Sequence, residues 1–167
     1  MRQKTIITTI LLFVLFVIFF LVYMKFYLEE RNHINTHVDI YETTCGTYQK
    51  GEVLVNKKIL LVDIADTECK KDLGLSGRTS LDNSGMIFTF EKSGNYSFWM
   101  KDMNFSLDII WINSNFKVIG IEKNISPKTY PESFGKKYLA MYVVEVPAGY
   151  SLKNNIKVGD TVIFSKK

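Results

Sequence analysis

The sequence predicts a mainly β protein, a small β-sandwich or barrel-like domain with one or two short helices, preceded by one N-terminal transmembrane helix. Three observations carry this expectation. From Glu52 onward the chain breaks into short runs rich in Val, Ile, Tyr and Phe, separated by Gly, Asn, Asp, Ser and Pro, the pattern of strands and turns. Near the N-terminus, Thr5 to Met24 form an uninterrupted uncharged run of apolar character. Between the two lies a polar stretch with no sustained period. The composition, 47% hydrophobic and 23% charged over 167 residues, suits a folded chain with one modest domain. Three prolines and ten glycines exclude collagen-like and linker classes, and two cysteines are too few for a disulfide-stapled mini-protein or a four-cysteine metal site.

The first element is the apolar run. At about 1.5 Å per helical residue, its twenty residues span roughly 30 Å, the thickness of a bilayer's hydrocarbon core. A cleaved signal peptide is the alternative. Such peptides have a shorter apolar region and a small-residue cleavage site, and this chain has no alanine before Ala65. An uncleaved anchor in the cytoplasmic membrane is therefore expected, contacting the bilayer through Thr5 to Met24. Arg2, Lys4 and the terminal amine precede the span, while Lys25 and Arg31 beside Glu29 and Glu30 follow it, so the N-terminus is expected in the cytoplasm and the C-terminal domain outside. Tyr23 and Tyr27 suit the outer interfacial belt. The expected domains are residues 1–28 as cytoplasmic tip and anchor, 29–50 as polar tether and 51–167 as exported β domain. Setting aside Arg2, Lys4, Lys25 and Arg31 with Glu29 and Glu30 leaves 17 basic against 15 acidic side chains, a near balance that gives no clustered basic face for nucleic acid.

Seven strands are expected in the domain: Ile59 to Ala65, Met86 to Phe90, Tyr96 to Met103, Leu107 to Asn113, Lys117 to Glu122, Tyr138 to Val146 and Asp160 to Phe164. Asn113-Ser114-Asn115 joins two of them at hairpin distance, and Glu91 to Asn95 reads as another reversal. One short helix fits Thr67 to Leu73, with Asp66 or Thr67 as cap, Glu68 in the first turn, Lys70 and Lys71 in the last, and Gly74 as terminator. A further helical turn fits Gly149 to Asn154.

Chemistry is less legible than architecture. Both histidines, His33 and His37, fall in the tether, so the domain has no imidazole for a Ser-His-Asp triad, a Cys-His pair or a usual zinc site. The two are spaced one helical turn apart, but a solvated linker is favoured over a metal grip, and no metal or cofactor is expected. Cys45 and Cys69, 24 positions apart, are placed to close a loop in an oxidising compartment; the alternative is two unrelated thiols. The densest constellation is Tyr96 to Asp102 followed by Leu107 to Trp111. Strand alternation puts Phe98, Met100 and Asp102 on one face and Trp99 with Lys101 on the other. Likewise Glu145 shares a face with Leu139, Met141 and Val143, so a carboxylate points inward if they do. A buried charge needs a partner, and Arg78, Lys101, Asp108 and Glu145 are the obvious network. It is either a set of ion pairs fixing strand register or the polar floor of a pocket beside Trp99. Lys101 activating Ser97 or Ser106 is a weaker option. Three Asn-x-Ser triplets, at Asn95, Asn104 and Asn124, fit chance in an asparagine-rich chain.

One set of landmarks is more specific in combination. Leu73-Gly74-Leu75-Ser76-Gly77-Arg78, Gly85-Met86-Ile87-Phe88, Phe98-Trp99-Met100-Lys101, Leu107-Asp108-Ile109-Ile110, Val144-Glu145-Val146-Pro147-Ala148-Gly149 and Val158-Gly159-Asp160, in that order, resemble the domain of unknown function 192 family. The resemblance spans about residues 63–164 and implies a compact, mainly β domain, often exported or membrane-anchored, with no established activity. Family members usually continue Phe-Trp-Met-Lys with Asn-Thr, place proline before Leu-Asp and read Gly-Leu-Met; here stand Asp102-Met103, Ser106 and Gly74-Leu75-Ser76.

These readings converge on a binding or accessory module for an envelope component: a glycan, a small polar ligand or another exported protein. Trp99 would supply a stacking surface, and Lys101 and Arg78 would hold an anionic or hydroxyl-rich group against Asp108 and Glu145. Two other classes compete. One is a histidine-free hydrolase or transferase with Asp108 and Glu145 as acid and base, which needs the carboxyls roughly 5 to 9.5 Å apart across a cleft. The other is an assembly domain using an exposed sheet edge or apolar patch.

Overall fold

The computed structural model describes residues 12–29, 45–81 and 84–167. The chain divides into two units, Met1–Thr44 and Cys45–Lys167. Helix α1 of the first unit spans Leu12–Glu29, 18 residues whose side chains are exposed almost throughout. It is long and apolar enough to cross a membrane, a description that a membrane anchor and a signal sequence both meet. Tyr23 and Tyr27 stack along it at 6.4 Å. The upstream part of the expected span, the bases Arg2 and Lys4, and His33 and His37 lie outside the described residues.

Among its described residues the second unit is mainly β, with nine strands: β1 Gln49–Val55, β2 Lys58–Ala65, β3 Ser84–Gly94, β4 Phe98–Trp99, β5 Leu107–Ile112, β6 Val118–Ile125, β7 Ser133–Phe134, β8 Ala140–Pro147 and β9 Val162–Lys166. Seven form one mixed sheet in the order β6-β5-β8-β3-β2-β1-β9, and β4 pairs with β7 in a second, two-stranded sheet. β2 and β3 are the parallel pair, and parallel neighbours need a long crossover. Helix α2, Glu68–Leu73, lies in that crossover. Thr67 caps it by accepting the Lys70 amide, and Gly74 ends it at φ +53°.

The large sheet curls until its edges meet at one end, which makes it barrel-like. Lys117 and Thr161 form an antiparallel bridge between the starts of β6 and β9. Around it the Val118 amide donates to the Asp160 carbonyl at 3.0 Å, and the Gly159 amide to the Val118 carbonyl at 2.8 Å. The concave face holds Val53, Val55, Val62, Ile87, Ile110, Val144, Val146 and Val162, and the remaining space there is only about 10 Å³. This interior is packed with side chains and has no room for a ligand. The convex face carries a second core around Met86, Phe88, Ile109, Trp111 and Val143, covered by Leu75, Phe98, Met100 and Tyr138. Burial on both faces explains why Ile109–Ile112 reads as an unbroken apolar run rather than an alternation.

Three expectations change. The strand expected over Tyr96 to Met103 shortens to Phe98–Trp99, because the chain turns at Met100–Met103 with Asp102 at φ +54°. The reversal expected at Glu91 to Asn95 comes later: β3 continues to Gly94, with an irregularity in its pairing to β8 between Thr89 and Gly94. β1 was absent from the expected strands, yet it forms a hairpin with β2 through Asn56-Lys57, both at positive φ (48° and 62°), the geometry of a two-residue type I′ loop. Helix α3, Tyr150–Lys153, falls within the expected Gly149 to Asn154 turn.

Candidate functional site

The convex face carries an open groove of about 1,100 Å³. α2 with the following turn to Ser76 forms one wall, and the outer half of β3 with Tyr96 to Met103 forms the other. Phe90 and Tyr96 stack at 3.5 Å, while Phe98 meets Phe88 edge-on at 4.8 Å, so the apolar wall is built from interlocked rings. The Trp111 indole N–H donates to the Tyr96 carbonyl at 3.0 Å and ties the loop down to β5.

Glu145 lies at the floor. Its ladder neighbours are Met86 on β3 and Ile109 on β5, both fully buried apolar residues. Glu145 itself is 5% exposed, and among the described residues it has no hydrogen bond or ion pair. Burial pushes its carboxyl up to about 8, and the positive charge of Arg78 only partly opposes this. Near neutral pH it mostly keeps its proton.

The other sequence-predicted residues separate. Trp99, 54% exposed, sits at the groove's mouth with its ring edge-on to Tyr130 at 5.7 Å. Lys101 lines the same rim and is exposed. Ser97 lines the groove; Ser106 does not. Arg78 is committed next door: its guanidinium donates to Asp63 at 2.8 Å and lies 5.3 Å over the Tyr48 ring. Lys50 pairs with the same Asp63 carboxylate, and Lys70 covers the same ring. Asp63, a lone acid inside the apolar run Leu61 to Ala65, was the signal for this cluster, and its partners come from β1 and the loop after α2.

Asp108 belongs elsewhere. In the β5–β8 ladder it faces Val146 while Ile109 faces Glu145, so the two carboxylates leave opposite faces of the sheet. Asp108 is completely buried. It accepts the amides of Asn124, Gly149 and Ser151 at 2.9, 3.1 and 2.9 Å and the Ser151 hydroxyl at 2.5 Å. That set anchors the start of α3 and the end of β6 to the barrel, a structural task that replaces the expected pairing with Glu145. An acid and base drawn from Asp108 and Glu145 therefore do not face one cleft.

Cys45 and Cys69 form a disulfide with Cα atoms 5.6 Å apart, which joins the start of the domain to α2 beside the groove. No group of three or more His, Cys, Asp or Glu side chains suited to a metal ion occurs among the described residues.

Fold and groove together define a barrel-like, mixed-sheet β domain with a buried acid beneath an aromatic cleft. The chain belongs to the DUF192 family, described as an uncharacterized ACR, which matches residues 51–164. Two solved structures share the fold. One, a protein of unknown function from Novosphingobium aromaticivorans, is 27% identical with a TM-score of 0.61, covering 68% of this chain and 83% of its own. The other, titled a putative transcription regulator from Sinorhizobium meliloti, is 24% identical with a TM-score of 0.65, covering 71% of this chain and 95% of its own. No curated protein matches the chain.

Proposed function

We propose that the β domain is a binding module that takes a small polar ligand, or the exposed part of an envelope component, into the convex groove. On this reading α1 remains in the cytoplasmic membrane and holds the domain on its outer side. The carrying observation is Glu145: an acidic residue only 5% exposed, without a hydrogen bond or ion pair among the described residues, bordering an open groove rather than sealed in the core. A side chain that only stabilised the sheet would be apolar here or paired, because an unsatisfied buried polar group costs about 1–3 kcal/mol. A ligand supplies the missing partner. Trp99 offers a flat apolar surface at the mouth and Lys101 a mobile charge on the rim.

The Cys45–Cys69 bridge supports the outer location, since such bonds persist in oxidising compartments and are reduced in most cytosols. The basic residues ahead of the apolar span support the same orientation. The test has two arms on the full-length protein. Protease added to intact cells should digest the C-terminal domain, and an intact domain would overturn the location. In detergent micelles, a thermal-shift screen with envelope sugars and small polar compounds should find a stabilising ligand whose effect disappears in Trp99→Ala and Glu145→Gln. Stabilisation that survives both substitutions would place the site elsewhere.

A further inference from the structure

We infer that the groove selects a ligand carrying an ammonium group on an apolar or aromatic body, with the Glu145 carboxylate as counter-ion at the floor. This rests on the binding reading above and names the chemistry of what binds. Three features point to it. First, the ladder neighbours of Glu145, Met86 and Ile109, offer no side-chain donor, and Arg78 donates to Asp63 instead, so a ligand must bring the missing donor. Second, the groove carries an excess of acid: besides Glu145, five carboxylates line it against three lysines. Asp66, Glu68 and Asp72 come from α2 and its approach, Glu91 from β3 and Asp102 from the turn after β4. Lys71 pairs with Glu68 at 2.9 Å and Lys70 with Asp66 at 3.5 Å, which leaves Asp72, Glu91 and Asp102 against Lys92 and Lys101, both exposed at the rim. That small negative balance favours a cation over an anion. Third, the walls present aromatic faces, and the protein's own Lys71 ammonium already rests 5.0 Å over Phe90. A ligand ammonium gains the same attraction from neighbouring rings.

The groups facing Glu145 set the proton count. Met86 and Ile109 contribute no charge, and Arg78, whose positive charge acts on it, is shared with Asp63. An ammonium entering below about pH 8 meets the neutral acid, so the Glu145 proton leaves to solvent as the ion pair forms. Ammonium affinity should then rise about tenfold per pH unit from about pH 6 up to Glu145's own titration and level off above it.

The experiment uses the full-length chain in non-ionic detergent micelles with three matched probes: benzylamine, benzyl alcohol and phenylacetate. Amide resonances of the groove report binding by NMR, and calorimetry in two buffers of different ionisation enthalpy counts protons. The expected result is benzylamine binding at least about tenfold tighter than either other probe at pH 8, with nearly one proton released at pH 6.5. Glu145→Gln should abolish both the preference and the proton release. If benzyl alcohol or phenylacetate binds the same groove as tightly, or benzylamine binds without proton release, the ammonium inference fails and the binding site stands. If none of the three perturbs a groove resonance at millimolar concentration, both fail. Because the proton count is measured on the wild-type chain, the outcome does not depend on the variant folding.

Discussion

Replacing Glu145 by glutamine should make the domain more stable, by a margin that grows as pH rises from about 5 to about 8. The buried carboxyl titrates at about 8 in the folded chain against an ordinary value of 4.5. Below the lower value folded and unfolded chains both hold the proton, and the burial of Glu145 carries no charge penalty. Between the two values the folded state binds more protons than the unfolded one, so stability falls as pH rises, by at most about 1.4 kcal/mol per pH unit. Above the higher value the penalty is complete. The difference between the two values corresponds to about 5 kcal/mol as an order of magnitude. Glutamine keeps the shape and polarity of the protonated acid but cannot ionise. The two proteins should therefore unfold at nearly the same urea concentration at about pH 5 and diverge until about pH 9, where the glutamine variant leads by roughly 2 M urea or more. Tryptophan fluorescence suits the assay, since Trp99 and Trp111 both belong to the β domain and α1 has none. Titration of every other group cancels in the difference. Parallel curves, separated by less than about 1 kcal/mol across the range, would refute the account of Glu145 as a desolvated, unpaired acid.

The remaining expectations follow from contacts in the same domain. Asp108→Ala strands the Ser151 hydroxyl and three amides in the interior and should cost about 3 kcal/mol or more by urea unfolding, while probes of the groove bind as before. Reducing the Cys45–Cys69 bond, or replacing both residues by serine, should lower stability by about 3 kcal/mol for a loop of this length. Gly135→Ala places a Cβ 2.3 Å from the Trp111 ring at a backbone φ of +95°, so it should cost more than about 2 kcal/mol and shift Trp111 fluorescence. Tyr48→Leu removes the ring beneath Arg78 and Lys70 and should be destabilising, a loss read from the melting temperature.

Much of the β domain was visible in its sequence where the cause is local. The β-branched runs of β2, β5 and β8 mark strands because such side chains fit a pleated, buried surface. The α2 boundaries followed from Thr67 and Gly74, whose capping acts within one helical turn. β1 was harder, since its first half is Gln49-Lys50-Gly51-Glu52 and its strand character comes from pairing with β2 and β9. The short β4 and β7 have the same cause: each exists through the other, 36 positions away in the pair Phe98 with Phe134, as the ladder between them records.

The candidate site divides the same way. Alternation along Val143-Val144-Glu145 was enough to aim a carboxyl inward, because a strand's faces are fixed by its own geometry. Whether that carboxyl met a partner depended on which strands lay beside it, and Met86 and Ile109 left it alone. For Asp108 the reverse happened: its donors come from 16, 41 and 43 positions along the chain, and no local pattern could assign them. Periodicity and capping propagate through a few neighbouring bonds, so local residue order determined an apolar N-terminal helix, a β body and an inward acid. The sealing of the barrel, the opposite faces taken by Asp108 and Glu145, and the aromatic cleft over the acid arise from contacts between distant segments. Only the folded chain, in which those segments exclude water from one another, decides them.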